Sequence, residues 1–287
     1  MSQRQLVESL ATQFPVRVLC RVLDMHPSSY YYEPRCRDDL TLLAKIEGVL
    51  IRFPTYGYRR VAAQLGREYH RVNHKRVQRV MRENDLIRIV KRRCYTTNSR
   101  HGYPRYPNLV RDLGIEHPDQ VWCADISYIQ LRQGFVYLAI IMDVFTRGLR
   151  GWHLGRTLSS DLAMTALERA LSRGMPEIHH SDQGVQYAAE RYTSCLEQLG
   201  IAISMSSPGQ PTENPYAERV IRTIKEEEVY LADYEDFQDA SHRIGHFIED
   251  VYQTKRIHSA LGYLTPAEYE AAYWDLRTPS LYSQKGV

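Results

Sequence analysis

Cysteine is sparse in this 287-residue sequence, and no two cysteines stand close together. The five occupy positions 20, 36, 94, 123 and 195. Their odd number and wide scatter support neither a disulfide framework nor a Cys-rich zinc site; buried thiols in a reducing compartment are expected instead. No apolar run reaches the roughly 18 residues of a membrane-spanning helix. The amino terminus, Met-Ser-Gln-Arg-Gln-Leu, lacks the apolar centre of a secretory signal. A cytoplasmic protein without a membrane partner is therefore expected. Internal repeats and low-complexity stretches are missing too. A chain of this length can bury a core, as one large domain with an appendage or as two compact ones.

Acid is missing from one particular stretch. Between Arg52 and Arg111 there are 16 Lys and Arg against 3 Asp and Glu. Residues 1–120 hold 22 basic against 12 acidic side chains, and residues 121–287 hold 15 against 22, so the net charge of +3 conceals a basic first half and an acidic second. Such a density of unopposed cations is the footprint of a surface that neutralises phosphates and releases counterions.

Hydrophobic periodicity divides the chain further. Residues 1–38 read as a helical segment, with Val18, Leu19, Val22 and Leu23 at helical spacing before a polar break at Pro27-Ser28-Ser29 and a tyrosine cluster. Residues 39–95 read as a helical, helix-turn-helix-like DNA-binding domain. Asp38 and Asp39 open its first helix, where the helix dipole favours acids, and Leu42, Leu43, Ile46, Val49 and Leu50 form the apolar stripe. After the turn Phe53 to Tyr58 come a short helix, Arg59 to Leu65, and a stronger one from about Asn73. On that last helix Lys75, Arg79 and Arg82 fall together, opposite Val77, Val80 and Met81. One face suits a core and the other an anion, as in a recognition helix. Arg59, Arg60, Arg76 and the run Lys91-Arg92-Arg93 complete the candidate DNA contacts.

Residues 96–118, with Gly102, Pro104, Pro107 and Pro118, read as a basic linker that could track a DNA backbone. From Gln120 the pattern turns to strands, and residues 119–230 read as an α/β core. Val121 to Leu131 and Phe135 to Phe145 are rich in β-branched and aromatic residues, with Arg132-Gln133-Gly134 as a hairpin turn. A third strand is expected around Leu149 to Leu154. Next come a helix capped by Ser159 or Ser160, a strand from Glu177 to Ser181, a helix from Ala188 to Leu199 and a strand from Ile201 to Met205. This order makes one mixed sheet with helices on both faces. Residues 231–287 read as a helical extension and tail.

Three carboxylates carry the chemistry. Asp125 lies inside the first strand and Asp182 at the end of the fourth. Glu218 lies one turn into a helix that Asn214 caps and Pro215 opens. Two-cation phosphodiester chemistry needs such a cluster, because hard cations take oxygen ligands and must be held close together. Alone, an Asp in a strand is ordinarily a solvated or salt-bridged acid, and only a fold brings three together. Asp143 is expected to be structural, with a partner such as Arg147. Among the histidines, His180 is expected to support Asp182, and His258 to be structural. Arg222 and Lys225 share a helix face with Glu218, at spacings of four and then three.

Taken together, these residues resemble a known family. Trp122-x-x-Asp125, then His180-Ser181-Asp182-x-Gly184-x-Gln186-Tyr187, then Asn214-x-x-x-Glu218 with 35 residues between the second and third acids, are similar to the catalytic core of retroviral integrases and bacterial insertion-sequence transposases. More narrowly they resemble the second-reading-frame product of the "IS three" family. Tyr56-Gly57-Tyr58-Arg59-Arg60 with Asn73-x-Lys75-Arg76-Val77-x-Arg79-x-Met81-Arg82-Glu83 resembles that family's helical DNA-binding segment. Arg256-x-His258-x-Ala260-Leu261-Gly262-Tyr263-x-Thr265-Pro266 resembles its tail signature. Pro215-Tyr216 depart from the small residue more usual after the Asn. No His-His-Cys-Cys zinc module precedes the core, which favours the bacterial branch.

The resemblance implies a ribonuclease-H-like five-stranded mixed sheet flanked by helices, preceded by an all-helical DNA-binding region. It implies a DDE polynucleotidyl transferase that cuts and joins DNA, with Asp125, Asp182 and Glu218 as catalytic ligands of two Mg²⁺ ions, for which Mn²⁺ could substitute. Lys225, with Arg222 beside it, would hold a phosphate of the terminal DNA. The implied partners are the element's terminal inverted repeats, target DNA, further copies of the chain at synapsis, and the first-reading-frame product. Two other readings stand beside it: a DNA-binding regulator inactive without an upstream fusion partner, and a plain metal-dependent nuclease.

Overall fold

The computed structural model describes residues 3–32, 39–87, 105–207, 210 and 213–277. Two compact units divide at residues 44 and 45. In the first, α1 (Gln3–Leu10), α2 (Val16–Val22) and the short α3 (Pro27–Tyr30) close around Val7, Leu19 and Cys20. Cys20 and Cys123 are buried and Cys195 partly so, all unpaired. Cys36 and Cys94 lie outside the described residues.

The second unit takes up the end of α4 (Asp39–Arg52), then α5 (Tyr58–Glu68) and α6 (His74–Glu83). Asn73 opens α6 as expected, its side chain accepting a hydrogen bond from the Lys75 amide at 2.8 Å. Val61 and Leu65 of α5 and Val77, Val80 and Met81 of α6 are buried. Lys75, Arg79 and Arg82 are exposed, as the helical wheel requires.

The sheet contains β1 (Val121–Gln130), β2 (Phe135–Asp143), β3 (Leu149–Gly155), β4 (Ile178–Ser181) and β5 (Ala202–Met205), in the order β3-β2-β1-β4-β5. The first three strands run antiparallel, while β4 and β5 run parallel to β1. This is the expected ribonuclease-H-like arrangement. Gly134 takes a φ of +80° at the β1–β2 turn, a conformation open to glycine at little cost.

Alternation along β1 and β2 sorts the core into two layers. Val121, Cys123 and Ile129 join Val136, Leu138, Ile140 and Met142 on one face, under α10 (Pro215–Ile224) and α11 (Phe237–His246). Trp122, Ala124, Ala139 and Ile141 pack on the other, against α7 (Ser160–Leu171) and α9 (Glu190–Gln198). A four-residue helix, α8 (Val185–Ala188), precedes α9, from which the extended Ala189 separates it. The long α12 (Pro266–Arg277) closes the described chain.

Three expectations change. Asp143 is buried and accepts from the Asp119 amide at 2.9 Å, the Thr146 amide at 2.7 Å and the Thr146 hydroxyl at 2.6 Å. Its cationic neighbour is Arg150, at 3.9 Å, and not Arg147. Arg147 adopts a left-handed backbone, φ +61°, and its guanidinium stacks 4.1 Å from the Tyr216 ring centroid. Ser159 precedes α7 without a side-chain capping bond. The described part of the proposed linker, residues 105–118, packs on the core. Leu109 N donates to Ser204 Oγ at 2.9 Å, and Val110 and Ile115 cover the α10 layer. Its apolar side chains are too few to form a helical or strand pattern, yet enough to adhere to a sheet edge.

Helix α7 approaches β3 so closely that a Cβ on Gly151 would fall 2.3 Å from the Ala166 carbonyl oxygen. Gly151→Ala is expected to destabilise the fold by about 1–3 kcal/mol or more, whereas Gly48→Ala, in open space on α4, should stabilise by roughly 0.5–1 kcal/mol. Thermal unfolding followed by circular dichroism checks both; equal melting temperatures for the two variants would contradict the packing.

Candidate active site

β1 presents Asp125 from the middle of the sheet, with a strand on either side. It pairs with Ile140 across β2, which commits its side chain to the α10 face. Cys123 pairs with His180 in the parallel β1–β4 ladder. Two residues further along, Asp125 and Asp182 therefore stand level on neighbouring strands, about 4.8 Å being the usual strand separation. The partly buried Asp125 accepts from the Ile126 amide at 2.8 Å. The exposed Asp182 accepts from the Gly184 amide at 2.9 Å. A Cβ on Gly184 would lie 3.0 Å from that same carboxylate oxygen, so glycine keeps Asp182 in place.

Helix α10 brings in Glu218 from the facing layer. Asn214 sits at its N-cap position but does not cap it. Its Nδ2 instead donates to the carbonyl of Ala124 at 2.9 Å, tying the helix start to the residue before Asp125. Its Oδ1 is buried without a hydrogen-bond partner. Arg222 is exposed one turn beyond Glu218, and Lys225, half-buried, follows at the helix end.

Electrostatics show that the four groups sense one another. Burial, followed by the charges of Asp182 and Glu218, pushes the Asp125 carboxyl up to about 8, while Lys225 opposes the shift. Burial raises Glu218 as well, with Arg222 opposing and Asp182 adding. Burial lowers Lys225 against the pull of Asp125. Like charges in a poorly solvated place resist ionisation, and a cation relieves the cost.

The surroundings hold the site rigid. His180 is buried, and its ring bonds Ser204 Oγ at 2.8 Å, Ser206 Oγ at 3.1 Å and the Glu213 carbonyl at 3.1 Å. Burial keeps it below the ordinary histidine range. It therefore braces β4, β5 and the entry to α10. Glu213 accepts from the Ser207 amide at 2.6 Å and from Asn108 at 3.0 Å, and it pairs with Arg111; these donors, the Ser207 amide first, pull its carboxyl down to about 2. Glu213 lies about a hundred residues from Asn108 and Arg111 and the three form no motif, so sequence reasoning had no signal for them.

The DNA-contact candidates divide. Arg59, Lys75, Arg79 and Arg82 are exposed and Arg76 is half-buried; Arg79 also pairs with Glu83 at 2.7 Å. Arg60 turns inward instead, with Glu227 at 3.4 Å. Lys91, Arg92 and Arg93 lie outside the described residues. His258 is partly buried, beside Arg256 and edge-on to Tyr252, in keeping with a structural role.

Among the described residues, no three His, Cys, Asp or Glu side chains by themselves enclose a cation. Mg²⁺ commonly takes only one or two carboxylates and completes its shell with water and substrate oxygens. The donor set fits such an ion: hard oxygens on one rung and a facing helix, at a place where negative charge is already costly.

A ribonuclease-H-like sheet with three coupled acids, docked beside a basic helix pair, defines the integrase-core class. The sequence matches the integrase core domain over residues 115–211, a second integrase core domain over 199–266 and an HTH-like domain over 37–94. It is 32% identical to the transposase for insertion sequence element IS629 of Shigella sonnei, covering 94% of this chain and 96% of that protein. It is 33% identical to the transposase for IS904 of Lactococcus lactis, over 75% of this chain and 87% of the other. With the transposase InsF for IS3A of Escherichia coli it shares 27% identity, over 92% and 96%. The magnesium-bound HTLV-2 integrase catalytic core, in its trimeric form, superimposes with a TM-score of 0.46 at 16% identity, covering 54% of this chain and 97% of that one. The chain belongs to the IS3-type family of insertion-sequence transposases. No described helix is long and apolar enough to cross a membrane.

The Asp125 shift has a definite sign. Its folded value of about 8 lies above the unfolded value of about 3.9. The folded state thus holds the extra proton, and the associated stability is lost as pH rises between these values. In chelator, Asp125→Asn is expected to melt above wild type near about pH 8, with the gap closing near about pH 5; Mg²⁺ should raise only the wild type. A pH-independent gap in differential scanning fluorimetry would contradict this.

Proposed function

We propose that the chain is a transposase catalysing metal-dependent DNA cleavage and strand transfer at the ends of its own insertion sequence. The observation that carries this reading is the convergence of Asp125, Asp182 and Glu218, with Lys225 beside them, on one face of the sheet. Asp125 on β1 and Asp182 just beyond β4 would hold divalent cations, with Glu218 facing them from α10. Bound divalent cations would polarise the scissile phosphodiester and activate the attacking oxygen, a water for cleavage and the freed 3′-OH for joining. Lys225 binds a phosphate of the terminal DNA, with Arg222 alongside. Asn214, bonded to β1, keeps Glu218 from withdrawing with its helix. No Ser or Tyr nucleophile and no covalent protein–DNA intermediate takes part.

In this reading residues 39–95 bind double-stranded DNA, residues 96–118 connect to the core at 119–230, and residues 1–38 and 231–287 flank them. Terminal repeats and target DNA are the substrates. Synapsis requires more than one copy, with the first-reading-frame product as a further partner.

With labelled element-end DNA, a plasmid target and Mg²⁺ or Mn²⁺, wild type is expected to give joined products. Glu218→Gln should give none while binding end DNA within about twofold of wild type, because it removes only a charge used in chemistry. Nicks without joining would identify a nuclease, and binding without any cleavage a regulator. Replacing Lys75, Arg79 and Arg82 by Ala should flatten the dependence of log K on log salt by roughly 0.9 for each phosphate no longer neutralised. An unchanged slope in a filter-binding titration would remove α6 from the DNA.

A further inference from the structure

The tail signature Arg256-x-His258 plays no part in the proposed chemistry, yet Arg256 is only 2% exposed. Its guanidinium grips Glu227 with two hydrogen bonds, Nε to Oε2 and Nη2 to Oε1, both 2.7 Å. Glu227 belongs to a π-helical turn, Lys225–Val229, that continues α10. Such widened turns recur at functional sites. Here the turn starts with Lys225, whose charge reaches Asp125. Its far side is held by Glu228, which accepts from Tyr234 at 3.2 Å and faces Arg243 at 3.5 Å.

Helix α5 joins the same anchor. Arg60 donates to Glu227 Oε1 at 3.4 Å. The Ile257 amide donates to the Tyr56 hydroxyl at 3.0 Å. A second strut runs from Arg67 to the Tyr263 carbonyl, at 3.0 Å, and to Glu268. The tail signature thus receives the DNA-binding helices, and Glu227 links it to the turn carrying Lys225.

We infer that Glu227 is a positioning residue: through Arg256 it fixes the π-helical turn that presents Lys225, and through Arg60 it locks α5 to that turn, giving the DNA-binding pair and the acidic site one rigid support. The kinetic consequence rests on the transposase reading; the docking does not. A guanidinium fork suits a carboxylate better than an ammonium does, yet at these partly solvated struts a lysine preserves the charge, so the conservative variant should recover much of the function.

The full chain carrying Arg60→Gln and Arg67→Gln tests this beside Arg60→Lys with Arg67→Lys. In hydrogen exchange, amides of α5 and α6 are expected to exchange at least about tenfold faster in the Gln pair, with β2 and α10 unchanged. Joining at saturating end DNA should slow about tenfold, with the salt dependence of binding unaltered, and recover in the Lys pair. Unchanged exchange in α5 and α6 would overturn the docking. A flattened salt slope with full rate at saturation would place Arg60 on DNA and overturn the positioning role. If wild type joins no ends, the transposase reading falls, while exchange still decides the docking.

Discussion

A fold that gathers Asp125, Asp182 and Glu218 must bury carboxyl groups and then hold them against one another's charge, and the site's surroundings depend on that cost. Asp125 rises to about 8 through burial and the two neighbouring acids. The scaffold answers with hydrogen-bonded rigidity on every side. Register places Asp125 on β1 level with Asp182 just past the end of the neighbouring parallel β4, and the Asn214 bond to the Ala124 carbonyl pins the third acid's helix to β1. A histidine whose protonation burial disfavours, His180, spans β4, β5 and the entry to α10.

The charge division of the chain thereby acquires a structural meaning. Two groups of basic side chains from the first half stand out. Lys75, Arg79 and Arg82 remain on an exposed helix face. Arg60, Arg67 and Arg111 reach acids of the second half, Glu227, Glu268 and Glu213. A basic surplus therefore provides both a surface for phosphates and the struts that attach it to the acidic core. Pairs of this kind contribute little stability when solvated; their value here is orientation.

Local rules were enough wherever one residue and its neighbours decide the outcome. Gly134 marked the hairpin, Asn73 the start of α6, and the β-branched and aromatic content of Val121 to Leu131 the first strand. They failed where a side chain had a distant alternative. Asn214 has the right position to cap α10, but its Nδ2 donates to the distant Ala124 carbonyl and its Oδ1 accepts from none of the local amides. Asp143 has Arg147 four residues away, but a left-handed backbone at Arg147 turns that guanidinium to Tyr216 and leaves Arg150 as the neighbour. The segment read as a basic linker holds Asn108 and Arg111, both of which bond Glu213.

The sequence by itself determined the strand and helix pattern, the basic character of α6 and the identity of the three candidate acids, because these rest on periodicity, charge density and spacing along the chain. Only the tertiary structure decided which charges meet. Glu213 with Arg111, Glu227 with Arg256 and Arg60, and Asp125 with Lys225 are separated by long stretches of chain. Electrostatic and hydrogen-bonded pairing depends on distance in space, and no local pattern encodes it.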